Sequence, residues 1–239
     1  MQLRTPPLPL PAIEADAITR RFGARWVLRG LSLRVDAGEI VGLLGSNGSG
    51  KSTLLRILAT LLRPNGGAAR IGGVDAVADP DGVRRQVGFL AHAPGLYDDL
   101  TARENLVFAA TMLGKRDAAL DPLLARVGLT EVADQRVRGF SAGMQRRLAL
   151  ARLLLGSTQV LLLDEPYSNL DAEGIALMNG VLREAVAGGG AALIVLHETA
   201  PAMGLLDRTV TIANGRLSEV TDHPSRLPLH TASSLAGHR

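Results

Sequence analysis

Apolar positions along this chain follow two rhythms. Three short runs, IVGLL, QVLLLD and ALIVL, are apolar almost throughout, the pattern of strands buried on both faces. Between them apolar residues recur at helical spacing, as at Leu148, Leu150, Ala151 and Leu154. Two β-type segments, IEADAIT and VLRGLSLRV, come first, and IVGLL then leads into a helix expected from about Ser52 to Leu62. Residues 68–90, rich in Gly and Asp, read as a short-stranded excursion ending in VGFL. A mainly helical insert follows, roughly 94–155. Thr101-Ala-Arg-Glu104 spells a capping box, that helix continues through Leu113, Gly128 stops a second one, and a third begins near Ser141. A helix from Ala172 to Ala187 is stopped by three glycines, and Asn214-Gly215 marks a hairpin in the last β-type piece. Strands alternating with helices make this an α/β chain with one domain over residues 13–220. Residues 1–12, with four prolines, read as a flexible lead, and 221–239 as a flexible polar tail holding three of the five histidines. No internal repeat is visible.

Composition narrows the chemistry. Cysteine is absent, which removes disulfides, thiolate metal sites and cysteine nucleophiles. Only 3% of residues are aromatic, too few for the stacking platforms that read single-stranded nucleic acid, and the formal charge of +3 is spread among scattered acids, so no nucleic-acid partner is expected. No apolar run approaches the roughly 20 residues needed to cross a bilayer, and the N-terminus lacks the apolar core of a signal peptide; a cytoplasmic location is expected. Of the 26 basic residues only Lys51 and Lys115 are lysines. A narrow anion nest accepts a compact ammonium and excludes a planar guanidinium, and Lys51 lies in such a place.

Gly45, Ser46, Asn47, Gly48, Ser49, Gly50, Lys51, Ser52 and Thr53 follow an apolar strand and open a helix, the context of a phosphate-binding P-loop. The glycines let successive N–H groups turn toward phosphate oxygens, and the helix N-terminus adds positive potential. Lys51 is placed to bridge β- and γ-phosphates, and the Ser52 hydroxyl to ligate Mg²⁺. The strand Val160-Leu-Leu-Leu then delivers Asp164 and Glu165, the first as a metal-side carboxylate and the second as the candidate general base. Phe140-Ser-Ala-Gly-Met-Gln145 precedes a helix between these segments, with Ser141 as its N-cap.

This order of motifs resembles the nucleotide-binding domain of ATP-binding cassette (ABC) transporters over about residues 13–220. The resemblance implies a P-loop NTPase core with a mainly parallel sheet, an antiparallel β subdomain and a helical signature subdomain. It also implies that Phe22 stacks on adenine, that Ser141 and Gly143 cap the γ-phosphate held by a second copy in a head-to-tail homodimer, and that Asp171, in Ser168-Asn-Leu-Asp171, crosses the dimer seam. Asp171 reads equally as the N-cap of the next helix. His197, after ALIVL, resembles the switch histidine that senses the γ-phosphate. ATP and Mg²⁺ are the implied cofactors, and separate transmembrane permease subunits the implied partners.

Several positions depart from the commonest pattern. The signature carries Phe140, Ala142 and Met144, and His92 stands where the Q-loop glutamine is usual. Mg²⁺ prefers oxygen, so a water-mediated or γ-phosphate contact suits His92 better than direct ligation. The His92-Ala-Pro-Gly segment, SAGMQRR and DEPYSNLD together resemble the haem-exporter ATPases of cytochrome c maturation; exporters of drugs, lipids or polysaccharide are the alternative. Tyr97 and Leu100 are candidates to line a groove for a membrane subunit. A soluble ABC ATPase acting on ribosomes or DNA usually carries two cassettes or a long coiled-coil insert, and neither is seen here. A P-loop kinase leaves the signature and His197 unexplained.

Overall fold

The computed structural model describes residues 10–222 except 116, 117 and 157. Most of the proline-rich lead and all but two residues of the polar tail lie outside the described residues. The chain opens with a long antiparallel hairpin, β1 (Ile13–Phe22) and β2 (Arg25–Val35), turned at Gly23. β3 (Ile40–Leu44) enters the interior and gives way to α1 (Lys51–Leu58). β4 (Gly66–Ile71) returns to pair with β1, and β5 (Val74–Asp75) pairs with β4. These strands make a four-stranded antiparallel sheet in the order β2-β1-β4-β5.

The second sheet is built from β3, β6 (Val87–Leu90), β7 (Val160–Asp164), β8 (Ala191–Val195), β9 (Arg208–Ala213) and β10 (Arg216–Asp222), in the order β10-β9-β3-β8-β7-β6. All neighbours in it are parallel except the terminal hairpin β9–β10, which turns at Asn214 and Gly215, both at positive φ. The continuous apolar runs take the centre: every residue of β7 and β8 is buried. α1 lies between the two sheets, burying Leu54, Leu55, Ile57 and Leu58 in one core with Ile13, Ile18, Leu28 and Leu193. Each such side chain stabilises the fold by about 1.5–3 kcal/mol. The opposite face of the parallel sheet is covered by α5 (Ala142–Leu154) and α6 (Ala172–Ala187). A third core joins α5 to α3 (Ala102–Met112) and α4 (Leu120–Arg126), making the helical subdomain. α5 thus belongs to two cores, one on the sheet and one in the helical subdomain.

Three expectations need correction. The first helix ends at Leu58 rather than Leu62, because Thr60 turns to a φ of 61° and the amides of Leu61 and Leu62 fold back onto Arg56 O. The excursion over 68–90 contains a helix, α2 (Pro80–Gln86), capped by Asp79, which accepts from Gly82 N at 2.8 Å and is followed by proline at the first helical position. Thr221 and Asp222, assigned to the tail, pair with Thr209 and Arg208 at the end of β10. Among the described residues no helix is long and apolar enough to cross a membrane.

Candidate functional site

The register of the parallel sheet assembles the site. β3 lies beside β8, and β8 beside β7, so their carboxyl ends open onto one edge, where ligands of such sheets gather. The loop 45–50 leaves β3 there. A Cβ on Gly45 (φ 142°) would lie 2.4 Å from Ile212 O, and one on Gly50 (φ 114°) 2.7 Å from Leu28 Cδ2, so the loop closes only with glycine at both positions. Gly50 caps α1 without a side chain and no acid occupies the first turn, leaving the N-terminal amides of α1 for an anion. Lys51 is 6% exposed and donates from Nζ to Gly45 O at 2.7 Å and Ser46 O at 3.1 Å. Its ammonium is therefore held at the loop by carbonyls alone. A cavity of about 230 Å³ is lined by Asn47, Gly48, Gly50, Lys51, Ser52 and Thr53, with Arg25 and Val27 from β2 and Glu165 opposite.

Asp164 ends β7, opposite Val195 in the register, and is 2% exposed with Oδ1 unpartnered. Ser49 Oγ is likewise buried and unpartnered. An orphaned carboxylate oxygen costs desolvation energy unless something joins it, and the oxygens of Asp164 and Ser52 suit a hard divalent cation such as Mg²⁺. Among the described residues no group of three or more His, Cys, Asp or Glu is placed to hold a metal ion.

Glu165 follows at a φ of 52°, its amide bonded to Val195 O at 3.1 Å. Two residues beyond Val195, His197 approaches Glu165 Oε1 through Nε2 at 2.6 Å; His92 Nδ1 lies 3.1 Å from Oε2, and Ser168 Oγ donates to Oε2 at 3.4 Å. Burial pushes the carboxyl's pKa up, but the His197 hydrogen bond, the two imidazoles and Ser168 together bring it below its ordinary value. Glu165 is therefore an ionised, oriented carboxylate at the mouth of the phosphate cavity.

The signature residues lie elsewhere. Ser141 caps α5, accepting from Met144 N at 3.2 Å, and Gly143 packs so close to the 168–171 loop that a Cβ would lie 2.8 Å from Asn169 O. Asp171 caps α6 through Gly174 N and pairs with Arg147 at 2.7 Å. These residues line a separate open cavity of about 520 Å³, and no residue lines both it and the phosphate cavity. Phe22, 48% exposed at the end of β1, carries the Arg20 guanidinium 4.8 Å above its ring and lines neither cavity. Trp26, Arg29 and Arg216, unremarked in the sequence, line a basic hollow of about 660 Å³ on the flank of the P-loop with Ser46 and Ser49. Arg25 lines both this hollow and the phosphate cavity. Their only sequence signal is nearness to the P-loop through β2 and the β9–β10 turn, a long-range pairing no local pattern reveals.

A model of the family described as ABC transporter matches residues 28–168. The chain belongs to the ABC transporter ATP-binding family. Members hydrolyse ATP, and this chain is an ATP-binding subunit of that kind. The cytochrome c biogenesis ATP-binding export protein CcmA of Xanthomonas oryzae pv. oryzae is 42% identical over 203 residues, covering 84% of this chain and 94% of that protein. The daunorubicin resistance ATP-binding protein DrrA3 of Streptomyces coeruleorubidus is 39% identical over 210 residues; the chain spans only 66% of its length. A solved structure of the ATP binding subunit of an ABC transporter superposes with a TM-score of 0.80 at 29% identity, covering 88% of this chain and 90% of that one. These likenesses fit the two-sheet core with its helical subdomain.

Proposed function

We propose that the chain binds MgATP in the 45–53 loop of one copy, against Ser141 and Gly143 of a second, and hydrolyses it to drive export through separate transmembrane subunits. The observation that carries this reading is the pairing of an oriented, ionised Glu165 with the P-loop, while the signature cavity stands apart with no nucleotide machinery of its own. Glu165 accepts the proton of the attacking water, and His197 orients the carboxylate and senses the γ-phosphate. Lys51 leaves its loop carbonyls for the β- and γ-phosphates, so negative charge developing in transfer meets an ammonium and the amides of α1. Ser52 and Asp164 would hold Mg²⁺, which supplies neutralisation of phosphate charge when bound. His92, with Nδ1 3.1 Å from Glu165 Oε2, stands beside the same carboxylate, where it reaches the γ-phosphate directly or through water. Phe22 offers its half-exposed ring to adenine, and Asp171 stands at the seam between copies.

Attachment to the cytoplasmic face of the membrane comes through partners. An open groove of about 980 Å³ between the parallel sheet's edge and the helical subdomain, lined by Tyr97, Phe108, Met112 and Leu113, suits an apolar segment of such a partner. Tyr97 is among the residues lining this groove and Leu100 is not. The cargo reading we favour is haem export in cytochrome c maturation, supported by the CcmA relative that this chain matches over 94% of its length. The drug-resistance relatives support a drug exporter as the alternative. Co-purification of the full chain from membranes of its own cells distinguishes them: recovery with a multi-span partner is expected, the partner's identity names the cargo class, and recovery with ribosomes or DNA instead contradicts the transport reading.

A further inference from the structure

The helix that carries the signature also carries a buried arginine that the mechanism above does not use. Arg146, on the second turn of α5, is 3% exposed and has no carboxylate partner. Its guanidinium donates instead to backbone carbonyls from two loops: Glu165 at 2.6 Å, Asp164 at 2.8 Å and Pro166 at 3.3 Å on one, Ala91 at 2.7 Å and His92 at 3.4 Å on the other. Burial holds its pKa below the usual guanidinium value while the charges of Asp164 and Glu165 oppose this. Burying a full charge with only neutral partners is costly, and the fork of five N–H donors is the one side chain that can satisfy so many diverging carbonyls. A second arginine of α5, Arg152, donates to Pro94 O at 2.7 Å and to Gly95 O. The segment 91–95 is therefore stapled to α5 at both ends, and its far end, Gly95, lines the groove between sheet and helical subdomain.

Glu165 needs such a hold. Its φ of 52° is one that side-chain-bearing residues rarely adopt, and the main chain there is fixed from both sides, the amide by Val195 O and the carbonyl by Arg146. The imidazole of His92 reaches Glu165 from the segment that Arg146 and Arg152 pin. We propose that Arg146 is a positioning residue: it fixes the Glu165 carboxylate and ties it, through the segment 91–95, to the state of the groove. This rests on Glu165 being the base. The signature helix, the groove and the base then move as one unit, and displacement of the segment at Gly95 reaches Glu165 without contact to nucleotide.

Three substitutions in the full chain test this, Arg146→Lys, Arg146→Gln and Arg146→Met, alongside Glu165→Gln. Expected for the folded Arg146 variants are MgATP affinity by calorimetry close to that of the parent and a kcat lowered by about 10- to 100-fold, the scale for a misplaced catalytic group. Lys is expected to restore only part, since one ammonium cannot span both loops. A parallel fall of affinity and kcat, or full rescue by Lys, overturns the positioning role. If Glu165→Gln keeps turnover, the base assignment fails; if it loses turnover while the Arg146 variants keep theirs, only the present proposal fails. A readout without substitutions uses hydrogen exchange in the parent chain: on adding MgATP, residues 91–95 and 165–168 are expected to gain protection together, and independent responses overturn the coupling.

Discussion

The two halves of the candidate site differ in how they treat charge. Around the P-loop, Lys51 and Asp164 are almost fully buried, Glu165 is largely covered, and two polar atoms, Asp164 Oδ1 and Ser49 Oγ, have no partner. Around the signature, Ser141 and Asp171 are exposed and already employed as helix caps, and Arg147 is paired with Asp171 and Glu173. The first region carries an electrostatic debt that an anion and a cation would settle; the second is satisfied as it stands. The contrast teaches where nucleotide binding energy resides. In the reading proposed above, one copy supplies the gripping half, and the signature half of another copy serves as a lid that adds the amides of α5.

The largest expected break in this contrast falls on the gripping half. Glu165→Gln keeps the shape and removes the base, so MgATP binding persists while steady-state turnover falls by about 10²–10³-fold, and the ATP-bound dimer accumulates in sedimentation velocity. Undiminished turnover contradicts the base assignment. A smaller effect follows from the imidazole beside it. Because Glu165's folded pKa lies below its ordinary value, its ionised form is present at neutral pH and is lost only as pH falls through that lowered value. His197→Ala removes the principal lowering influence, so the acid limb of the kcat–pH profile moves upward, toward the ordinary carboxylate range; an unmoved limb counts against the pairing. The smallest effect is expected on the lid. Asp171→Ala loses the α6 cap and the Arg147 pair, lowering the melting temperature by a few degrees, with MgATP affinity of the single copy unchanged.

The same contrast explains how much was legible in the sequence. The P-loop, Asp164 and Glu165 were readable because a strand, a turn and a helix that must adjoin in space also adjoin in the chain. His197 and Glu165 meet because both follow apolar runs that form neighbouring parallel strands, a contact set by the sheet order rather than by any local pattern. What escaped notice depends on distant pairing. Arg25 and Trp26 reach the P-loop only because β2 folds over it, and Arg216 only through the terminal hairpin. The burial of Arg146 follows from α5 being wedged between two cores, which helical spacing alone does not reveal. Reading 68–90 as a short-stranded excursion passes over α2, whose start is marked by the Asp79 cap and Pro80. Leu100 is bonded through its backbone to Tyr97 and Val137 and is not among the residues that line the groove.

Complementation between two disabled chains goes to the centre of the account. Lys51→Ala destroys the grip and Ser141→Arg the lid, so each chain alone should be inactive. Mixed in equal amounts, they can form pairs in which one intact P-loop meets one intact signature, and roughly a quarter of parental ATPase activity is expected to return. Mixtures as inactive as their components would show that grip and lid of the same chain work together, contradicting a site shared between two copies.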